Sequence, residues 1–290
     1  MTRYSFGLIG LLFALIILAI FSFPDRNLHV IFCDVGQGDA IFASFGTVQI
    51  LVDGGPDSSI NSCLGRHLPF WDRKIEVVIV THPQEDHFIG VIDVVRRYKV
   101  DLFLHPGVEG NSAGWAVLKE ELKKRSVVQK TVASGNKIRY SSLSHYGVRD
   151  KFSLYFDILH PSPRQTGFGT GPTDDLNEYS IVGTLSFGEF DVLLTGDITP
   201  GISDQLALDA VEGVEVLKVP HHGSKNGLTN ALLEKTNPKL ALITVGKNNR
   251  YGHPHPEVIK LLSEKATKIL RTDLDGEVEV VSDGKRWWLK

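Results

Sequence analysis

Thr81-His82-Pro83-Gln84-Glu85-Asp86-His87 stands directly after the apolar run of residues 76–80 and directly before Ile89, Ile92 and Val95, which recur at helical spacing. The pattern predicts a buried strand, a loop at its carboxyl end and then a helix. Two imidazoles and a carboxylate fall within six residues of that loop. Imidazole nitrogen and carboxylate oxygen are ligands of divalent zinc, manganese or iron, and a loop at a strand end can fan them around one point. The plain alternative is a solvated loop in which Asp86 caps the helix. Two distant stretches repeat the arrangement. Leu193-Leu194-Thr195-Gly196-Asp197 ends an apolar run in an acid, and Leu217-Lys218-Val219-Pro220-His221-His222-Gly223-Ser224 ends one in two histidines.

Residues 28–33, 40–45 and 48–52 read as antiparallel strands, and residues 115–125 as a helix with Glu120, Glu121 and Lys124 outermost. Strands are predicted over 152–159, 180–187, 191–195, 214–219 and 240–245. A short helix follows at 229–235, another at 256–265 with Pro256 in its first turn, and two or three strands close the chain. No repeat and no long linker divides residues 27–290; the loop 162–175, rich in Gly, Thr and Pro, is of a kind that borders active sites. These elements predict one α/β domain of two sheets packed face to face with helices outside.

The ordered set of motifs resembles the metallo-β-lactamase superfamily, with its HxHxDH motif, later histidine, bridging aspartate and last histidine, and Asp53-Gly54-Gly55 at its early strand end. Within it the chain looks like the hydrolase domain of the competence protein ComEC. That similarity rests on residues 34–40 (DVGQGDA), 177–180 (NEYS), 218–224, 249–256 (NRYGHPHP) and Thr272-Asp273 through Gly276, and covers about residues 28–284. It implies a four-layer αββα sandwich. It also implies metal ligands His82, Asp86, His87, Asp197 and His221, with His222 as the open alternative to His221. Gln84 replaces the second histidine of the motif and Asn177 stands where many relatives have another, so both are weak ligands at most. The expectation is one well-held zinc or manganese ion and a second that is weak or absent. Asp53 is expected to orient a ligand histidine rather than to ligate. Asp34 and Asp39 bracket a Gly-Gln-Gly turn whose chemistry alone accounts for such acids, and Asp34 is retained as a candidate.

A metal with open coordination supplies hydroxide at neutral pH, hence hydrolysis. Lys218, Ser224, Lys225, Lys247, Arg250, His253 and His255 cluster in the two loops after the last apolar runs. Cations, hydroxyls and imidazoles suit a phosphodiester. Lys218, Ser224, Arg250 and His255 are the expected phosphate contacts, and His253 is a candidate general acid. The substrate suggested by the resemblance is DNA. A phosphorylcholine-type ester of the cell envelope is the rival within the class, and a noncatalytic metal-stabilised binding module is the rival outside it, raised by Gln84. His29, His67, His105, His145 and His160 read as satisfied or solvated imidazoles.

The 290 residues carry a formal charge of −3, are 42% hydrophobic and include two cysteines, which excludes a disordered chain, a disulfide-stapled miniprotein and a uniformly cationic nucleic-acid coat. Residues 6–23 are uncharged and as a helix would reach about 27 Å, enough to span a bilayer. Residues 1–26 are therefore expected to be a transmembrane anchor placing residues 27–290 outside the cytoplasm, the alternative being a cleaved signal and secretion. No protein partner is inferred. Pairing of Cys33 with Cys63 stays open.

Overall fold

The computed structural model describes Gly10, Phe13 and residues 24–140, 153–164, 175–209, 212–265 and 267–290. Apart from Gly10 and Phe13, the expected anchor 6–23 lies outside the described residues, as do His145 and most of the loop 162–175. Among the described residues no helix is long and apolar enough to cross a membrane.

One sheet contains β1 (Leu28–Phe32), β2 (Ile41–Phe45), β3 (Val48–Val52), β4 (Lys74–Ile79), β5 (Lys99–His105), β6 (Val128–Thr131), β14 (Val278–Ser282) and β15 (Trp287–Leu289), in the order β15-β14-β1-β2-β3-β4-β5-β6. The other contains β7 (Lys137–Tyr140), β8 (Leu154–His160), β9 (Val182–Phe187), β10 (Phe190–Leu194), β11 (Val216–Lys218), β12 (Leu240–Ile243) and β13 (Lys268–Arg271), in the order β13-β12-β11-β10-β9-β8-β7. The first three strands are antiparallel, as their alternation predicts. From β3 to β6 and from β10 to β13 the pairing is parallel.

Alternation along the strands feeds two cores at once, because both faces of each sheet are covered. Leu28, Val30 and Phe32 point into the space between the sheets, where they meet Phe156, Phe187 and Val192. Ile31 and Cys33, on the opposite face, pack under α1 (Ile60–His67), α2 (Glu85–Arg97) and α3 (Ala113–Lys124). The second sheet is covered likewise by α4 (Pro200–Asp209), α5 (Asn230–Thr236) and α6 (Pro256–Glu264), through Leu206, Leu232 and Leu262. Helix, sheet, sheet, helix is thus the layer order. A one-turn helix α7 (Thr272–Asp275) precedes β14.

Sequence periodicity missed α1, β5, β6, β7 and α4. In α1, Asn61, Ser62 and Gly65 are poor helix formers, and the helix is held instead by burial of Ile60, Cys63 and Leu64. It is also tied to the end of β1 by a Cys33–Cys63 disulfide, with Cα atoms 6.0 Å apart. The helices predicted near residues 89–98, 115–125, 229–235 and 256–265 are α2, α3, α5 and α6. Ser112 caps α3, its hydroxyl accepting from the Trp115 N–H at 3.2 Å.

Candidate metal centre

The carboxyl ends of parallel strands from both sheets meet at one rim, and there the apolar pattern stops. β4 delivers Thr81 and His82, and the first turn of α2 delivers Asp86 and His87. Asp53 follows β3, Asp197 follows β10, His222 follows β11, and the loop after β1 brings Asp39. Asp39, Asp53, His82, His87, Asp197, Lys218 and His222 are all at most 2% exposed.

Close backbone contact sets the position of α2. The Asp39 N–H donates to Asp86 O at 3.2 Å, and the Gly54 N–H donates to His87 O at 2.7 Å. A Cβ on Gly90 would lie 2.0 Å from Gly54 O, and one on Gly38 2.2 Å from Asp86 O, so neither position admits a side chain. Asp53, His221 and His222 adopt left-handed backbone, with φ of 59°, 52° and 53°. Such strain clusters at functional sites.

Donor atoms of Asp86, His87, Asp197 and His222 all lie within 4.8 Å of one another. Asp197 Oδ2 is 3.1 Å from His222 Nε2 and 3.4 Å from His87 Nε2, and Asp86 Oδ2 is 3.6 Å from His222 Nε2. Each imidazole is held from behind. His222 Nδ1 donates to the Thr244 carbonyl at 2.9 Å, and His87 Nδ1 donates to Asp53 Oδ2 at 2.8 Å. A proton on Nδ1 leaves Nε2 of the neutral ring free to ligate. Asp53 is fixed in turn by the Thr81 N–H and hydroxyl, at 2.8 and 2.7 Å.

The electrostatics are those of a cation site. Burial lowers His222, but Asp197 and Asp39 raise it well above an ordinary imidazole; Asp197 and Asp53 do the same for His87 against its burial. Burial raises Asp197, but His222, His87 and Lys218 hold it well below the carboxylate range. Asp86, against its burial, is brought down to about 2 by His222 and His87. His82 is pushed down to about 3, by burial first and then by His87, and is neutral. Its Nδ1 lies near the hydroxyls of Thr81 and Ser180, at 3.1 and 3.3 Å.

The residues fit a divalent ion. Among the described residues, ten buried side-chain nitrogen and oxygen atoms lack a hydrogen-bond partner, and six of them belong to His82 (Nε2), His87 (Nε2), Asn177 (Oδ1), His221 (Nδ1), His222 (Nε2) and His253 (Nδ1). Unpaired buried polar atoms are rare enough that six on this set of residues call for a ligand. Gln84, immediately before α2, supplies no imidazole. Asn177 lies in the 3-10 turn Leu176–Tyr179 that leads to Ser180.

Five sequence expectations change. His222, not His221, reaches the carboxylates, because the left-handed turn at both residues rotates adjacent side chains apart; their rings stand 83° to each other. Lys218 is no surface phosphate contact. Its fully buried ammonium pairs with Asp39, donates to Gly196 O at 2.9 Å and lies 3.4 Å from Asp197 Oδ1. Ser224 is buried and accepts from the Asn226 N–H at 3.2 Å in a turn. Asp34 is exposed and caps its own turn at Gly36, whereas Asp39 takes the inner place, also accepting from the Thr244 hydroxyl. His253 is pushed down to about 4 by burial, then by His222, His221 and His255, which disfavours the protonated ring that a general acid needs. His255 Nδ1 accepts from the Lys225 N–H at 3.1 Å, tying the two loops together. Arg250 is exposed, stacked on Tyr251 at 4.9 Å, and lines a 560 Å³ cleft that also includes Asp86. Thr244 and Ser180 escaped the sequence reading. Their signal was a lone hydroxyl at the end or start of an apolar run.

Of the other histidines, His29 faces Glu279 and Asp25 at 2.6 and 2.9 Å, His67 faces Glu277 at 2.6 Å, and His160 Nε2 donates to Glu178 O at 2.9 Å. His105 Nδ1 accepts from the Gly107 N–H at 3.2 Å.

Comparison with known proteins agrees with this geometry. The model of the metallo-beta-lactamase superfamily matches residues 33–247. The chain is 28% identical over 266 residues to ComE operon protein 3 of Bacillus subtilis, covering 85% of this chain, and 27% identical over 282 residues to Recombination protein 2 of Haemophilus influenzae, covering 96%. It spans 32% of the length of each. The metallo-beta-lactamase fold protein YhfI from Bacillus subtilis superposes with a TM-score of 0.53 at 10% identity, over 91% of this chain and 100% of that one, a likeness of fold. On the family match, the two-sheet sandwich and the carboxylate-imidazole rim, the chain belongs to the metallo-beta-lactamase superfamily.

Proposed function

We propose that the chain is a metal-dependent phosphodiesterase whose substrate is nucleic acid, DNA in the first place, tethered to a membrane by residues 6–23 with its hydrolase domain outside the cytoplasm. The observation that carries the metal-dependent part is the set of buried side-chain nitrogen and oxygen atoms on His82, His87, Asn177, His221, His222 and His253 that lack a hydrogen-bond partner. Asp86, His87, Asp197 and His222 would hold the ion. His82, with Gln84 and Asn177 in place of imidazoles, makes a second position poor, since amide oxygen is a harder and weaker ligand. A divalent ion in such a centre supplies hydroxide from water at neutral pH and neutralises charge on a phosphoryl group.

The protein's own part is positioning. Asp53 and the Thr244 carbonyl keep a proton on Nδ1 of His87 and His222, so each ring presents Nε2. Lys218 neutralises Asp39 and Asp197 from behind, letting two acids share a dry pocket. Arg250 in the cleft beside Asp86 meets the anionic substrate, and neutral His253 offers a hydrogen bond. The choice of DNA is supported by the relative named for recombination and the one named for the ComE operon, both similar to this chain over most of its length.

The test is an assay of the purified chain on single- and double-stranded DNA and on a bis-aryl phosphodiester, with manganese, zinc or chelator. We expect metal-dependent turnover that disappears in Asp86→Ala, with close to one tightly held ion per chain by elemental analysis. No turnover above Asp86→Ala on any substrate would overturn the enzymatic reading in favour of a binding module. Turnover of the small diester alone would move the substrate to an envelope phosphoester, and two tightly held zinc ions would overturn the single-ion reading.

A further inference from the structure

The loop between β1 and β2 contributes more than Asp39. Gln37 lies between Gly36 and Gly38, on the stretch whose next residue is bonded through its backbone to Asp86 O. Its Oε1 accepts from the Gly246 N–H at 3.1 Å, across 209 residues of sequence. That bond settles the orientation of the amide, because a backbone N–H donates only to the oxygen end. The other end, Nε2, is buried and has no partner. The approach at Gly246 is tight as well, a Cβ there lying 2.5 Å from the Gln37 backbone nitrogen. Gln37 is thus anchored on one side and unsatisfied on the other. It lines the 560 Å³ cleft together with Asp86, Asn249, Arg250 and Tyr251.

We infer that Gln37 is a substrate-binding residue, its Nε2 donating to a non-bridging oxygen of the phosphate group held in this cleft; the inference rests on the phosphodiesterase reading. Buried side-chain donors find a partner in nearly all proteins, and one lining a cleft is satisfied by what the cleft binds. The partner required is an acceptor. Asp57, Glu85 and Asp86 line this cleft and, among the described residues, Arg250 is its one cation, so the anion would be met by Arg250 and by the neutral amide.

Two variants separate this role from simple loop stapling. Gln37→Glu keeps the oxygen that accepts from Gly246 and removes the donor, whereas Gln37→Met removes both. With the full chain loaded with metal, binding of inorganic phosphate is measured by calorimetry, alongside bound metal, melting temperature and KM for the bis-aryl diester. We expect phosphate affinity to fall about tenfold or more in both variants, as for loss of a hydrogen bond to a charged group, with KM rising in parallel, bound metal unchanged and Gln37→Glu melting like wild type. The inference is overturned if either variant binds phosphate as tightly as wild type, if wild type binds no phosphate, or if Gln37→Glu loses metal. If wild type binds phosphate in the expected pattern but hydrolyses no phosphodiester, the reading of function fails and the anion site stands.

Discussion

Between the sheets, Phe32, Phe156 and Phe190 are at most 1% exposed; at the strand ends, Asp39, Asp53, His82, His87, Asp197, Lys218 and His222 are at most 2% exposed. Equal burial thus encloses opposite chemistry. The inter-sheet space is filled by apolar groups whose removal from water stabilises the fold directly. The rim holds ionisable groups that tolerate burial only because each is paired: Lys218 with Asp39, His87 with Asp53, His222 with Thr244. Six buried nitrogen and oxygen atoms on His82, His87, Asn177, His221, His222 and His253 nevertheless lack a hydrogen-bond partner. Stability resides in the first region and binding capacity in the second.

Removing one rim ligand should give the largest effect. His222→Ala is expected to lose the ion and with it turnover, by at least about 10⁴-fold or over ~5 kcal/mol of barrier, while His221→Ala keeps the ion with affinity within about tenfold. Elemental analysis and diester kinetics on the pair decide it; equal losses would erase the distinction between the two histidines. Phe156→Ala breaks the other side of the comparison. It should cost ~3–5 kcal/mol in denaturant unfolding and leave metal stoichiometry unchanged, and a loss of metal would show that the two regions are coupled.

A smaller effect concerns pH. In the metal-free fold His87 and His222 sit above the usual imidazole range, because Asp197 with Asp53 or Asp39 outweighs burial, so both carry a proton near neutrality. Metal binding must expel both protons, and apparent affinity should fall about 100-fold, or ~2.7 kcal/mol, for each unit the pH drops below neutrality. A pH-independent affinity from isothermal titration at pH 7 and pH 6 would remove these two residues from the ligand set.

Most of the framework was legible because local periodicity and strand-end chemistry are written residue by residue. The alternation in residues 28–52 gave three antiparallel strands, and the positions of His82, Asp86, His87 and Asp197 at the ends of apolar runs placed them on one rim. What stayed hidden depends on contacts distant in sequence. Lys218 looks like any lysine at a strand end until Asp39, from the loop after β1, pairs with it. Asp34 and Asp39 are alike as letters, but only Asp39 points inward, where Thr244 and Lys218 meet it. Helix α1 does bury Ile60, Cys63 and Leu64 at helical spacing, but it is only eight residues long and contains Asn61, Ser62 and Gly65, so it is held by the sheet that buries this face and by the bond to Cys33.

The superfamily resemblance, most of the strands and helices and the stretches from which a metal centre would be drawn follow from short runs of residue type, whereas α1, β5, β6, β7 and α4 do not. Folding chose His222 over His221, turned Lys218 and Asp39 inward, paired Cys33 with Cys63 and left Gln37 with an unsatisfied donor. The physical reason is that side-chain direction at a left-handed turn, and the charge that faces it, are set by neighbours which folding brings together from residues far apart in the chain.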